Sequence, residues 1–130
     1  MAEDQPFIAL DLALAVEDAG GQVVGPAASC AEAMAFLATG IVGAAILDVN
    51  LVDGDCSALV EVIVGLGVPF IIHTAVDLPP DFAMRFSDLV VRIKPYPAAT
   101  LVAQLELLLA NRERKVGEMG ALDDGMQAHH

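Results

Sequence analysis

Residues 43–49 read Gly-Ala-Ala-Ile-Leu-Asp-Val, an apolar run interrupted only by Asp48. Two comparable runs follow, Val-Pro-Phe-Ile-Ile-His-Thr at 68–74 and Leu-Val-Val-Arg-Ile-Lys at 89–94. Near-continuous apolar runs of this length suit strands of a parallel sheet that is covered on both faces. Each ends on a polar residue: Asp48 near the end of the first, Thr74 at the end of the second, Lys94 at the end of the third.

Helical stretches separate these runs. Residues 7–19 carry polar side chains only at Asp11, Glu17 and Asp18, which predicts a largely buried helix stopped by Gly20-Gly21. A short β-branched run at 22–25 reads as a further strand. Ser29 with Glu32 three residues on has capping-box spacing and opens a helix that ends at Gly40. Residues 50–55, Asn-Leu-Val-Asp-Gly-Asp, read as a loop turning at Asp53-Gly54. Helices are expected over 57–66, near 80–87 behind Pro79-Pro80, and over 98–113. Strand and helix alternate, which predicts an α/β domain over 1–113 with a parallel sheet and right-handed crossovers. A flexible tail is expected over 114–130.

Composition narrows the function. The chain has 130 residues and 56% hydrophobic content, enough for one domain with its own core. Six Lys and Arg against 18 Asp and Glu give a net charge of −12, which argues against nucleic acid, whose phosphates need a basic surface. No apolar run reaches bilayer-spanning length. The acidic opening Met-Ala-Glu-Asp-Gln does not read as a secretory signal, so the expected compartment is the cytoplasm. Cys30 and Cys56 fit neither a zinc spacing nor a disulfide framework. No Gly-x-Ser-x-Gly elbow and no glycine-rich phosphate loop is present, which excludes an α/β hydrolase and a nucleotide-binding reading.

In an open α/β sheet, ligands bind beyond the carboxyl ends of the strands. Asp48, Thr74 and Lys94 converge there, and Glu3-Asp4, Leu47-Asp48-Val49-Asn50-Leu51, Asp53-Gly54, His73-Thr74-Ala75 and Ile93-Lys94-Pro95-Tyr96 follow at matching spacing. Over residues 2–113 this pattern resembles the receiver domain of two-component response regulators, with a flavodoxin-like (CheY-like) three-layer fold. The resemblance implies a phosphoacceptor at Asp48, whose carboxylate attacks phosphorus to give a mixed anhydride. It implies Mg²⁺ held by Glu3, Asp4, Asp48 and the backbone carbonyl of Asn50. Lys94 would pair with one phosphoryl oxygen, and Thr74 would donate to another. The implied partners are a histidine kinase or phosphotransfer protein and a downstream protein target. The implied protein is a single-domain regulator that is not an enzyme beyond promoting its own phosphoryl transfer.

Two departures from the family stand out. Only Met1 and Ala2 occupy the place of the hydrophobic first strand, central in the receiver order 2-1-3-4-5. Either the natural chain starts earlier, or 22–25 pairs directly with 43–49, or a second protomer covers the gap as a homodimer. The absence would also leave Glu3 and Asp4 on a free N-terminus. The position three before the lysine, commonly an aromatic that moves with the threonine, is Val91. These departures favour an alternative, a receiver-like interaction module independent of phosphorylation. His73 reads as a packed strand residue with one satisfied nitrogen, and Tyr96 as ordinary packing on the sheet.

Overall fold

The computed structural model describes residues 1–48, 50–51, 54–55, 57–75, 78, 80–86 and 89–112. The elements run α1 (Pro6–Asp18), α2 (Cys30–Ala38), β1 (Ala45–Leu47), β2 (Asn50–Leu51), β3 (Gly54–Asp55), α3 (Ser57–Leu66), β4 (Phe70–Thr74), α4 (Pro80–Arg85), β5 (Val91–Ile93) and α5 over 98–112. The tail expected over 114–130, the Asp53 turn position and Cys56 lie outside the described residues.

The three apolar runs form one parallel sheet in the order β1-β4-β5. Leu47 pairs with Ile72, and Thr74 with Ile93. Alternation along the strands sorts side chains to two faces. Ile46 and Ile71 pack with Leu12 of α1 and Leu101, Val102 and Leu105 of α5. Leu47 and Ile72 pack on the opposite face with Leu59, Val60 and Ile63 of α3 and Phe82 of α4. The result is the α/β domain with a parallel sheet that the alternation predicts, in the three-layer, flavodoxin-like arrangement that the resemblance implies.

The first strand is not missing altogether: its tip holds the central place. Ala2 bridges Ala27 on one side and Leu47 on the other, both in parallel. Ala2 N–H donates to the Ile46 carbonyl (2.9 Å), and Asp48 N–H to the Ala2 carbonyl (2.9 Å). Glu3 N–H donates to the Ala27 carbonyl (2.8 Å), and Ala27 N–H to the Met1 carbonyl (2.8 Å). Met1, Ala2 and Glu3 therefore pair with backbone groups of both neighbours at this end of the sheet. The extended order becomes the Ala27 segment, Ala2, β1, β4, β5. Direct pairing of 22–25 with 43–49 does not occur among the described residues. Below Met1 the centre of the sheet opens into a cleft of about 420 Å³ between segments 19–22 and 41–44.

Two local expectations are also corrected. Among the described residues, 22–25 join no ladder: Gly25 turns the backbone to φ +105° and Pro26 offers no N–H. Pairing resumes at Ala27. The stretch 50–55 is not wholly loop, since Leu51 pairs antiparallel with Gly54 and Asn50 with Asp55. Two residues separate the arms, the shortest common hairpin spacing.

The helix at Ser29 forms as its capping spacing predicts. Ser29 Oγ accepts from Glu32 N–H at 3.1 Å, while a Glu32 carboxylate oxygen accepts from Ala28 N–H at 3.3 Å. The return bond thus reaches one residue further back than in the standard box. Cys30, in the first turn of this helix, is disulfide-bonded, against the sequence expectation. Spacing along a chain does not report which segments a fold brings together.

Candidate functional site

Four strand ends meet at the carboxyl edge of the sheet. Asp48 follows β1, Thr74 closes β4 and Lys94 follows β5, while Glu3 and Asp4 leave the central Ala2 position. Lys94 N–H donates to the Thr74 carbonyl at 2.8 Å, which ties the ends of β4 and β5 together. All are withdrawn from solvent except Asp4: Glu3, Asp48 and Thr74 are 3%, 6% and 0% exposed.

Lys94 organises the group. Its Nζ donates to Asp48 Oδ2 at 2.8 Å and to Glu3 Oε2 at 3.0 Å, with Glu3 Oε1 at 2.8 Å. Gln5 Oε1 lies at 3.4 Å, and Gln5 N–H donates to Glu3 Oε2 at 3.2 Å. Burial alone would lower the affinity of Lys94 for its proton, but the bonds to Asp48 and Glu3 outweigh it and hold the ammonium above its usual range. Glu3 moves the other way for a carboxylate. Burial pushes its pKa up by more than the Lys94 bond pulls it down, so its charge is a standing cost to the fold.

Carboxylate oxygens of Glu3, Asp4 and Asp48 all lie within 4.8 Å of one another. Three carboxylates and one ammonium leave a formal charge of −3 + 1 = −2 in one crevice. An all-oxygen donor set carrying excess negative charge fits a hard divalent cation such as Mg²⁺. Asn50, the fourth expected ligand, begins β2 two residues beyond Asp48.

The sequence reading thus placed Asp48, Lys94, Thr74, Glu3 and Asp4 together, and the fold brings them together. Glu3 is not on a loose terminus but buried beneath the Ala27 segment. Gln5 was missed. It is the N-cap of α1, yet its side chain makes no cap bond and turns to Lys94 instead. An amide between an acidic pair and a helix-opening proline was the available signal. His73 differs from expectation: it is 3% exposed, and among the described residues neither ring nitrogen has a hydrogen-bond partner. Burial, and then the Lys94 charge, push its pKa below the usual value. Val91 packs half-buried against the α3 side of the core. Tyr96 does more than pack: its hydroxyl accepts from Gln104 Nε2 at 2.7 Å, and its ring lies under the Arg92 guanidinium.

Comparison with protein-family models finds no match, and comparison with curated proteins finds none either. Solved structures do match. SdrG from Sphingomonas melonis Fr1 is 32% identical, with 84% of this chain and 92% of that chain covered and a TM-score of 0.67. The receiver domain of the response regulator PhyR from Erythrobacter litoralis is 28% identical, covering 82% and 87%, with a TM-score of 0.67. The anti-anti-sigma factor PhyR from Bartonella quintana is 25% identical over 88% of this chain, with a TM-score of 0.65. This chain spans only 49% of that protein's length. Among the described residues no helix is long and apolar enough to cross a membrane.

Proposed function

Because this chain belongs to the receiver family of response regulators, we propose that it is a phosphorylation-driven signalling domain whose acceptor is Asp48. The observation that carries this reading is the crevice itself, with the Asp48 carboxylate 2.8 Å from Lys94 Nζ and grouped with two further acids. A carboxylate oxygen of Asp48 attacks the donor's phosphorus. A new O–P bond forms, the bond from phosphorus to the donor's leaving atom breaks, and the leaving group departs with its electron pair. Lys94 stays beside the acceptor and pairs with a phosphoryl oxygen, having neutralised part of the charge beforehand. Thr74, fixed at the adjacent strand end, donates its hydroxyl to another phosphoryl oxygen. Glu3, Asp4, Asp48 and the Asn50 carbonyl would hold Mg²⁺, which when bound screens the phosphoryl charge from the carboxylates.

The donor is a histidine kinase or phosphotransfer protein, and the output is a protein contact in the cytoplasm. The name of the Bartonella relative suggests an anti-sigma type of target. The chain is not an enzyme beyond its own phosphoryl transfer.

Intact mass after incubation with acetyl phosphate and Mg²⁺ tests the reading. One phosphoryl mass is expected, absent in Asp48→Ala and without Mg²⁺. No gain in folded protein would overturn it in favour of a phosphorylation-independent interaction module, the reading that Val91 favours.

A further inference from the structure

Below Met1 the sheet is open on both of its faces. The cleft of about 420 Å³ runs between 19–22 and 41–44, against Val16 of α1 and Leu105 of α5. A smaller cavity of about 30 Å³ lies on the opposite face, against Phe36 of α2 and Leu59 of α3. Met1, Val24 and Val42 border both. Space on two faces at one place in a sheet suits an added strand, whose side chains alternate between the faces.

The edge of this gap is a strand edge. Ala45 N–H donates to the Pro69 carbonyl on the β4 side, whereas Asp48 N–H donates to the Ala2 carbonyl on the other side, each at 2.9 Å. Alternation therefore turns the N–H groups of Ala44 and Ile46 toward the gap. Neither has an acceptor among the described residues, although Ile46 is buried. A buried N–H without an acceptor destabilises the fold, so this edge favours a chain that brings carbonyls.

The gap also has a direction and a charged end. Ala2 bridges Ala27 and Leu47 in parallel. A strand in line with it runs parallel to β1 and points its carboxyl end at Met1. The Met1 ammonium stands there, part-buried, and donates to the Val24 carbonyl at 3.0 Å. Among the described residues no carboxylate pairs with it. Burial lowers its hold on the proton, which an anion beside it would restore.

We propose that this gap binds the carboxyl-terminal strand of a partner protein, an apolar segment that adds to the sheet along Ala44 and Ile46 and sets its terminal carboxylate against the Met1 ammonium. Its carbonyls accept from the two free N–H groups, and its side chains enter the two cavities in turn. Basic residues ahead of the apolar stretch suit Glu106, exposed on the α5 wall, and the net charge of −12. The same charge disfavours a second copy of this chain as the occupant. The inference stands on the sheet and does not rest on Asp48 accepting a phosphoryl group.

The test titrates the full chain, isotope-labelled, with the peptide acetyl-Lys-Lys-Val-Ile-Val-Ile bearing a free carboxylate. Amide shifts centred on 22–24 and 41–46 are expected, with slowed solvent exchange at Ala44 and Ile46. The same peptide as its C-terminal amide, and one with N-methylated amides, should each bind at least tenfold more weakly. Gly43→Phe should also cost at least tenfold, since Gly43 lines the cleft and an added Cβ meets nothing among the described residues within 4 Å. Circular dichroism checks its fold. Leu107→Ser, at a 65% exposed position of α5 that does not line the cleft, should leave affinity unchanged. Equal binding by either altered peptide, equal displacement by octanoate, which has a carboxylate but no amides, or shifts centred elsewhere would overturn the proposal. So would a dimer in sedimentation that Gly43→Phe abolishes, because a second copy would then be the occupant.

Discussion

Lys94 Nζ lies 2.8 Å from Asp48 Oδ2, although the two residues stand 46 positions apart and follow strands separated by β4. Both side chains are 7% exposed. The same ammonium holds Glu3, 91 positions away in sequence. One buried cation therefore ties the tip of the central strand to two other strands, and it does so by standing among carboxylates that would otherwise repel.

Lys94→Met removes that cation and leaves Glu3 and Asp48 facing each other. Breaking a buried pair at one partner costs about 3–5 kcal/mol, because the remaining charge has lost its compensation. Urea unfolding should show a loss of this order. Added Mg²⁺ should recover part of it by supplying positive charge to the same crevice. An unchanged midpoint would mean that the carboxylates find another counter-ion.

Two of the three carboxylates should be removable at little cost to stability. Glu3 already has its pKa raised by burial, so at neutral pH Glu3→Gln should change stability by less than about 1 kcal/mol. Asp4, half-buried and outside the Lys94 bridge, should be similarly mild when made Asn. Each should nevertheless weaken Mg²⁺ binding by about tenfold or more, since the site depends on its carboxylate count. Calorimetric Mg²⁺ titration of the three proteins separates the two effects.

His73 gives a pH signature. Its folded pKa lies below the free value of 6.5. The unfolded chain therefore binds the proton more readily, and stability from this group is complete above pH 6.5 and lost as pH falls toward the folded value. His73→Leu should flatten the stability profile between pH 7 and pH 5 relative to wild type. At neutral pH it should also stabilise by about 1–3 kcal/mol, because two buried nitrogens that have no hydrogen-bond partner among the described residues are removed. Denaturant midpoints across that range provide the check, and parallel profiles for the two proteins would refute it.

Gly25 seats the N-terminal residues. At φ +105°, an added Cβ would lie 2.9 Å from the Met1 carbonyl oxygen and 3.0 Å from Ala27 N. Gly25→Ala should cost about 1–3 kcal/mol from the backbone alone and displace Met1–Glu3 from the sheet. Mg²⁺ affinity should fall with it, although Gly25 touches no carboxylate. Gly20→Ala is the control, being at φ +85° with nothing among the described residues within 4 Å of the added Cβ. It should cost about 1–2 kcal/mol and leave Mg²⁺ binding intact.

The sheet and its helices were legible in the sequence because hydrophobic periodicity is local. The runs ending at Asp48, Thr74 and Lys94 report their own burial, and Ser29 with Glu32 reports its own cap. Convergence of those three residues followed from parallel strands ending at one edge. The seat of Met1–Glu3 was not legible, since three residues carry no period. Their place is decided by backbone bonds to Ile46 and Ala27, made only once β1 and the Ala27 segment stand a strand's width apart. The tertiary structure also decided that Lys94 shares its charge between Asp48 and Glu3, that Gln5 turns from the helix cap to the lysine, and that His73 is buried with no hydrogen-bond partner among the described residues. Each depends on distances between segments far apart in the chain, which residue identity and spacing do not encode.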